Sequence, residues 1–215
     1  MVIAIDGPAG AGKSTVARAV AAALGFTYLD SGAMYRALAL AATREGVPFD
    51  DVEALGALAD GLVIAFTEDR VLLDSEDVSD AIRIPEISAA ASQVSVHLPV
   101  RAAMVRRQRS LIEAGEFVAE GRDIGTVVSP DAPLKVFLTA SEPERARRRA
   151  AESGETEASV LEAQSARDAR DREREVGALR PANDAVEVDT TSLSVAEVVA
   201  RVVRLARERG LAAVR

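Results

Sequence analysis

Apolar positions along the chain fall alternately into short continuous runs and into helical spacings. Residues 2–5 form an apolar run of strand length. Beyond them Val16, Ala19, Val20 and Ala23 recur at the three- and four-residue intervals of one buried helix face, which predicts a helix over 13–24 with Gly25 as its C-terminal cap. A second strand is predicted over 26–29. Asp30 or Ser31 then caps a second helix through Arg44, and Gly46-Val47-Pro48 ends it. Further strands are predicted over 117–120, 134–138 and 186–188. Helices are predicted over 84–96, from Pro99 to about Gly115, over 142–151 and 157–175, and from Ser194 to about Arg209. Strands alternating with helices give an α/β fold in three layers, α/β/α, with a parallel central sheet.

One stretch breaks that rhythm. After a short helix over 51–60, residues 62–66 and 71–73 read as a hairpin joined by the polar turn 67–70, and Val78 as part of a third short strand. A hairpin following two helices is expected to be an insertion on the substrate side, spanning about 49–79.

The first run leads into Gly7-Pro8-Ala9-Gly10-Ala11-Gly12-Lys13-Ser14-Thr15. This is the G-x-x-x-x-G-K-[ST] spacing between a strand and a helix, the setting in which such a loop binds phosphates. Glycine lets successive backbone N–H groups turn inward, and the helix start adds unpaired donors and a favourable dipole. Lys13 can reach the β- and γ-phosphates and the Ser14 hydroxyl can ligate Mg²⁺. The stretch predicts binding of a nucleoside triphosphate.

Composition narrows the rest. The 215 residues are 48% hydrophobic but only 3% aromatic, so the core must be built from Ala, Val, Leu and Ile. A net charge of −8 speaks against a nucleic-acid surface. Lysine occurs only at positions 13 and 135, which sets Lys13 apart from a surface otherwise charged by arginine. Cysteine is absent, excluding disulfides and cysteine-held metal and fitting a reducing compartment. With no signal-peptide pattern and no apolar stretch near the ~20 residues of a membrane span, a cytoplasmic protein is expected.

Three constellations invite chemistry. Ser31 and Arg36 follow a strand end, where open α/β sheets bind ligands, although an ordinary helix cap with a surface arginine reads equally well. Arg122 and Asp123 lie between Gly121 and Gly125 in an apolar neighbourhood, as a functional loop or a structural ion pair. Arg167, Asp171 and Arg174 share one helix face, suited to a lid gripping phosphate and ribose. Yet Arg167 with Asp171, and Asp168 with Arg172, are also i,i+4 pairs of the sort that merely solvate a helix. His97, between Val96 and Leu98, reads as structural.

Together the segments GPAGAGKST, YLDSGAMYRA, ASQV, RRQR, EGRDIGTVV, ARDARDRERE and DTTSLS resemble the bacterial cytidylate kinase family, in order and over essentially the whole chain. The resemblance implies one P-loop kinase domain over 1–215, with a nucleoside-monophosphate-binding insertion at about 45–96 and a lid at about 145–175. It implies transfer of the γ-phosphate of ATP to CMP or dCMP with Mg²⁺, by a monomer with no nucleic-acid or membrane partner. Carried over position by position, it puts Ser31, Arg101, Asp123 and Arg174 around the cytosine end. Ser92, Arg167 and Asp171 fall near the pentose, and Arg36 and Arg122 near the acceptor phosphate. Lys13, Arg36, Arg122 and Arg174 are the implied catalytic cations.

Physical chemistry agrees with that assignment. A carboxylate such as Asp123 accepts from the cytosine amino group while Arg101 donates to O2 and N3; uracil would set acceptor against acceptor, costing about 1–3 kcal/mol if buried. A small-metabolite kinase of the shikimate or gluconate kind shares the arginine-rich arm but not DSGAMYR, GRDIGTVV or the hairpin. A nucleotide-switch or nucleic-acid-binding ATPase should show a D-x-x-G switch or a basic, aromatic surface; the acidic charge and near absence of aromatics speak against it.

Overall fold

All five residues of the first strand, β1 (Val2–Asp6), are buried, as a strand flanked on both edges and both faces must be. The computed structural model that shows this describes residues 1–67 and 70–211, and at Glu152 the backbone alone. In chain order there follow α1 (Lys13–Leu24), β2 (Thr27–Asp30), α2 (Ser31–Glu45) and α3 (Val52–Gly61). Next come β3 (Ile64–Thr67), β4 (Arg70–Leu73), β5 (Glu76–Asp77), α4 (Pro85–Val94) and α5 (Leu98–Glu113). The chain continues with β6 (Phe117–Gly121), β7 (Leu134–Thr139), α6 (Glu142–Ser153), α7 (Glu157–Glu173), β8 (Val186–Asp189) and α8 (Val195–Glu208).

The main sheet has the order β2-β6-β1-β7-β8. β1 runs parallel to both neighbours, with Val2 opposite Phe117 and Ile3 opposite Leu134, and β7 runs parallel to β8. Helices cover both sides of this sheet, giving the three-layer α/β/α class expected from the alternation. No helix among the described residues is long and apolar enough to cross a membrane.

The chain divides into two compact units. The first combines Met1–Leu29 with Leu111–Arg215. Its core joins β1, β7 and β8 to α1 and α8 through Ile3, Ile5, Val20, Val136, Val188 and Val202. With one aromatic ring in that cluster, Phe26, it is close to wholly aliphatic, as the composition requires. α8 starts with a reciprocal cap, Ser194 Oγ accepting the Glu197 N–H and the Glu197 carboxylate accepting the Ser194 N–H, a device contributing about 1 kcal/mol.

The second unit is Asp30–Ser110. α2 packs here against α4, burying Met34, Leu38 and Ala42. The hairpin is present as the antiparallel sheet β3-β4-β5, with Ile64 opposite Leu73 and Thr67 opposite Arg70. The centre of its predicted polar turn, Glu68 and Asp69, lies outside the described residues.

Four expectations need correction. On α1 the buried alanines are Ala17 and Ala21, whereas Ala23 is exposed and Ala19 half-buried. The third short strand is Glu76–Asp77 and stops before Val78, although the Val78 N–H still bonds the Val71 carbonyl. α4 ends at Val94, two residues early. The loop after β6 is also shorter than read, because Ile124–Val128 winds into a wide π-type turn.

Candidate active site

β1 ends in Asp6, and the loop 7–12 turns at once into α1. Gly7 has φ +151°, and a Cβ there would lie 2.1 Å from the Leu138 carbonyl oxygen. Glycine is therefore required where the loop leaves the sheet. Gly12 caps the helix start in the left-handed region, and Ser14 and Thr15 are exposed in the first turn. Lys13 is buried, and its Nζ donates to the Pro8 carbonyl at 2.7 Å, across the loop from which it rises. Burial, the charge of Arg122 and that of Arg167 lower its pKa to about 7 against the opposing pull of Glu120 and Asp6.

Asp6 is a residue the sequence reading passed over. Its carboxylate accepts the N–H groups of Ile124 and Gly125 at 2.9 and 2.8 Å, which anchors the turn immediately after Asp123. Burial raises its pKa to about 6 in spite of those two bonds, and the nearby Asp123 charge adds to the rise. The available signal was an acid closing an otherwise apolar strand directly before the glycine loop.

On the same unit, Asp171 of α7 receives two guanidinium groups. Arg122 donates through Nε at 2.9 Å to Oδ2, and Arg174, at the helix end, donates to Oδ1. Burial alone would push the Asp171 carboxyl up; Arg122, Arg174 and Arg167 together hold it below the ordinary range. Asp123 lies buried beside this cluster in sequence. The face-sharing of Arg167, Asp171 and Arg174 thus brings cations together around a carboxylate. The Asp168–Arg172 helix pair does not hold, because the Asp168 carboxylate is fully buried and bonds Arg145 of α6 at 2.5 Å.

The second unit holds the other predicted residues. Ser31 is buried at the first position of α2, whose start is capped by the Asp30 carboxylate accepting the Ala33 N–H at 2.9 Å. Arg36 bonds Asp30 at 2.8 Å, and its guanidinium lies over Gly32, where a Cβ would meet Nη1 at 3.0 Å. Ser92 of α4 is buried, and its hydroxyl has no partner among the described residues. Arg101 of α5 is also buried, donating to the Ser95 carbonyl at 3.4 Å with its guanidinium 5.9 Å from the Tyr35 ring. A buried hydroxyl without a partner, on a unit that also buries an arginine, is chemistry suited to a polar ligand.

A parallel sheet whose central strand feeds a glycine loop, with a buried lysine behind it and arginines on the following arm, defines a P-loop kinase. The family model described as cytidylate kinase matches residues 3–208, and the chain belongs to the cytidylate kinase family. It is 48% identical to a cytidylate kinase of Stutzerimonas stutzeri over 98% of this chain and 97% of that one. With a cytidylate kinase of Cupriavidus necator it shares 50% identity over 94% and 93%. Among solved structures, an uncharacterized protein from Eubacterium ventriosum superposes with a TM-score of 0.55 at 13% identity, covering 97% of this chain and 98% of that one. That last likeness is one of fold alone.

Proposed function

We propose that this protein transfers the γ-phosphate of ATP to CMP or dCMP, giving ADP and CDP or dCDP, as a monomer in the cytoplasm. The observation that carries the reading is the grouping on one unit of the glycine loop, the buried Lys13 and the Arg122–Asp171–Arg174 cluster, in a chain of the cytidylate kinase family.

Loop residues Gly7, Pro8, Ala9, Gly10, Ala11, Gly12, Lys13, Ser14 and Thr15 bind the triphosphate in this reading. The attacking group is an acceptor phosphate oxygen that is already anionic, so no side chain has to remove a proton. What remains is alignment and neutralisation of charge spreading over the transferred group. Lys13, Arg36, Arg122 and Arg174 supply that charge in this reading. Ser31, Arg101 and Asp123 read the base, and Ser92, Arg167 and Asp171 hold the pentose.

Mg²⁺ fits the donor set, since it keeps most of its water and takes few protein ligands beside substrate phosphates; the exposed Ser14 hydroxyl would hold it. When bound it neutralises phosphate charge. The arm 145–175 is assigned as the lid and about 45–96 as the nucleotide-binding insertion.

A coupled ADP-release assay with Mg-ATP against CMP, dCMP, UMP, AMP and shikimate tests the reading. Turnover led by CMP and dCMP is expected. A lead for AMP or shikimate would overturn the acceptor assignment and leave the phosphate-loop assignment standing.

A further inference from the structure

Both backbone groups of Ala9, inside the phosphate loop, are held by one buried ion pair from the arm. Arg145 Nη1 donates to the Ala9 carbonyl at 2.9 Å, and the Ala9 N–H points to Asp168 Oδ1 at 3.4 Å. The pair itself closes at 2.5 Å between Arg145 and Asp168. Arg145 is 2% and Asp168 0% exposed. Arg145 comes from α6 and Asp168 from α7, so both arm helices meet at this one residue. The next residue is clasped as well: a Cβ on Gly10 would lie 2.8 Å from the Gln164 amide nitrogen and 2.9 Å from the Arg145 Cβ and carbonyl oxygen. Gly10 is thus needed for close approach of the arm in addition to any phosphate.

We propose that Arg145 and Asp168 are positioning residues for donor binding. By holding the peptide groups on both sides of Ala9, its N–H and its carbonyl turned toward the arm, they fix the curvature of the loop, so that the N–H groups after Ala9 are presented to the triphosphate before it arrives. Neither side chain touches substrate in this proposal. A buried ion pair is costly to assemble and gains its advantage from geometry, so removing one partner leaves an uncompensated charge against the loop. The inference rests on the reading of the loop as the ATP grip, and on no assignment in the acceptor site.

The test is steady-state kinetics of Asp168→Asn, Arg145→Met and the double variant, with Arg145→Lys as the conservative variant that keeps a buried cation. Expected are an ATP KM raised about tenfold in each single variant, a CMP KM within about twofold of wild type, and a double variant no worse than the poorer single. Arg145→Lys keeps the charge but not the planar fork that spans Asp168 and the Ala9 carbonyl, so its ATP KM should remain raised about threefold, less than in Arg145→Met. An unchanged ATP KM with a lowered melting temperature would overturn the proposal and leave a purely structural pair, as would additive losses or equal rises in both KM values. If the larger variants do not fold, Arg145→Lys decides alone: an ATP KM equal to wild type with reduced stability overturns it. Failure of wild type to bind ATP would instead defeat the underlying loop assignment.

Discussion

Lys13 donates its Nζ proton to the carbonyl of Pro8, five residues earlier in the same loop. The lysine is thereby stored against the backbone in a buried site that lowers its pKa to about 7. An incoming triphosphate brings the negative charge that restores full protonation. At pH 8, ATP binding should therefore take up close to one proton, visible as a calorimetric heat that changes with the ionisation enthalpy of the buffer. Lys13→Ala should show no such uptake and lose transfer by about 10³-fold or more. A buffer-independent heat in wild type would mean that Lys13 is already charged.

Replacing Asp123 by Asn removes the charge from the bond proposed to the cytosine amino group. A charge-assisted hydrogen bond contributes about 1.5–3 kcal/mol, so kcat/KM for CMP should fall by roughly 10- to 150-fold. The KM for ATP should stay within about twofold. Steady-state kinetics with each substrate varied separately checks this, and unchanged CMP kinetics would refute the role given to Asp123.

The elevated pKa of Asp6 makes stability depend on pH with a definite sign. Its folded value, about 6, lies above the ordinary 3.8. Between the two the folded chain keeps a proton that the unfolded chain has lost, so this group's contribution to stability is full below about pH 4 and is lost as pH rises through 6. A shift of that size corresponds to about 3 kcal/mol. The stability lost in Asp6→Asn, measured by urea unfolding from pH 4 to 7, should be largest at the acid end and shrink toward pH 7. A pH-independent difference would show that Asp6 titrates normally.

Gly7→Ala should be far more damaging than Gly154→Ala, although both glycines have positive φ. At Gly7 the new methyl meets the Leu138 carbonyl at 2.1 Å; at Gly154 nothing lies within 4 Å. The expected costs are above about 3 kcal/mol for the first and about 1 kcal/mol for the second, readable as a melting-temperature drop of roughly 6 °C or more against 2–4 °C. Equal drops would mean that the loop can move away from β7.

Much of this arrangement was legible in the residues because its determinants are local. Gly25 and Gly46 close α1 and α2 where expected, Asp51 caps α3, and the glycine loop lies between β1 and α1. What escaped lacked local contrast or depended on partners distant in sequence. The buried face of α1 was misjudged at Ala23 because alanine occupies five of its twelve positions, leaving little contrast between the faces. Asp168 looked like half of a helix-surface pair because Arg172 is one turn away, whereas its partner Arg145 lies on another helix. For Asp6 the one local signal was its place at the end of an apolar strand; its role comes from two N–H groups beyond residue 120.

The central place of β1 has a consequence for synthesis. Val2 must wait for Phe117 and Ile3 for Leu134 before the strand has either neighbour. On the ribosome, the phosphate loop therefore emerges early and takes shape late, after the whole Asp30–Ser110 unit has been translated. During that interval β1 is an apolar strand with two unpaired edges, the kind of segment open to non-native pairing.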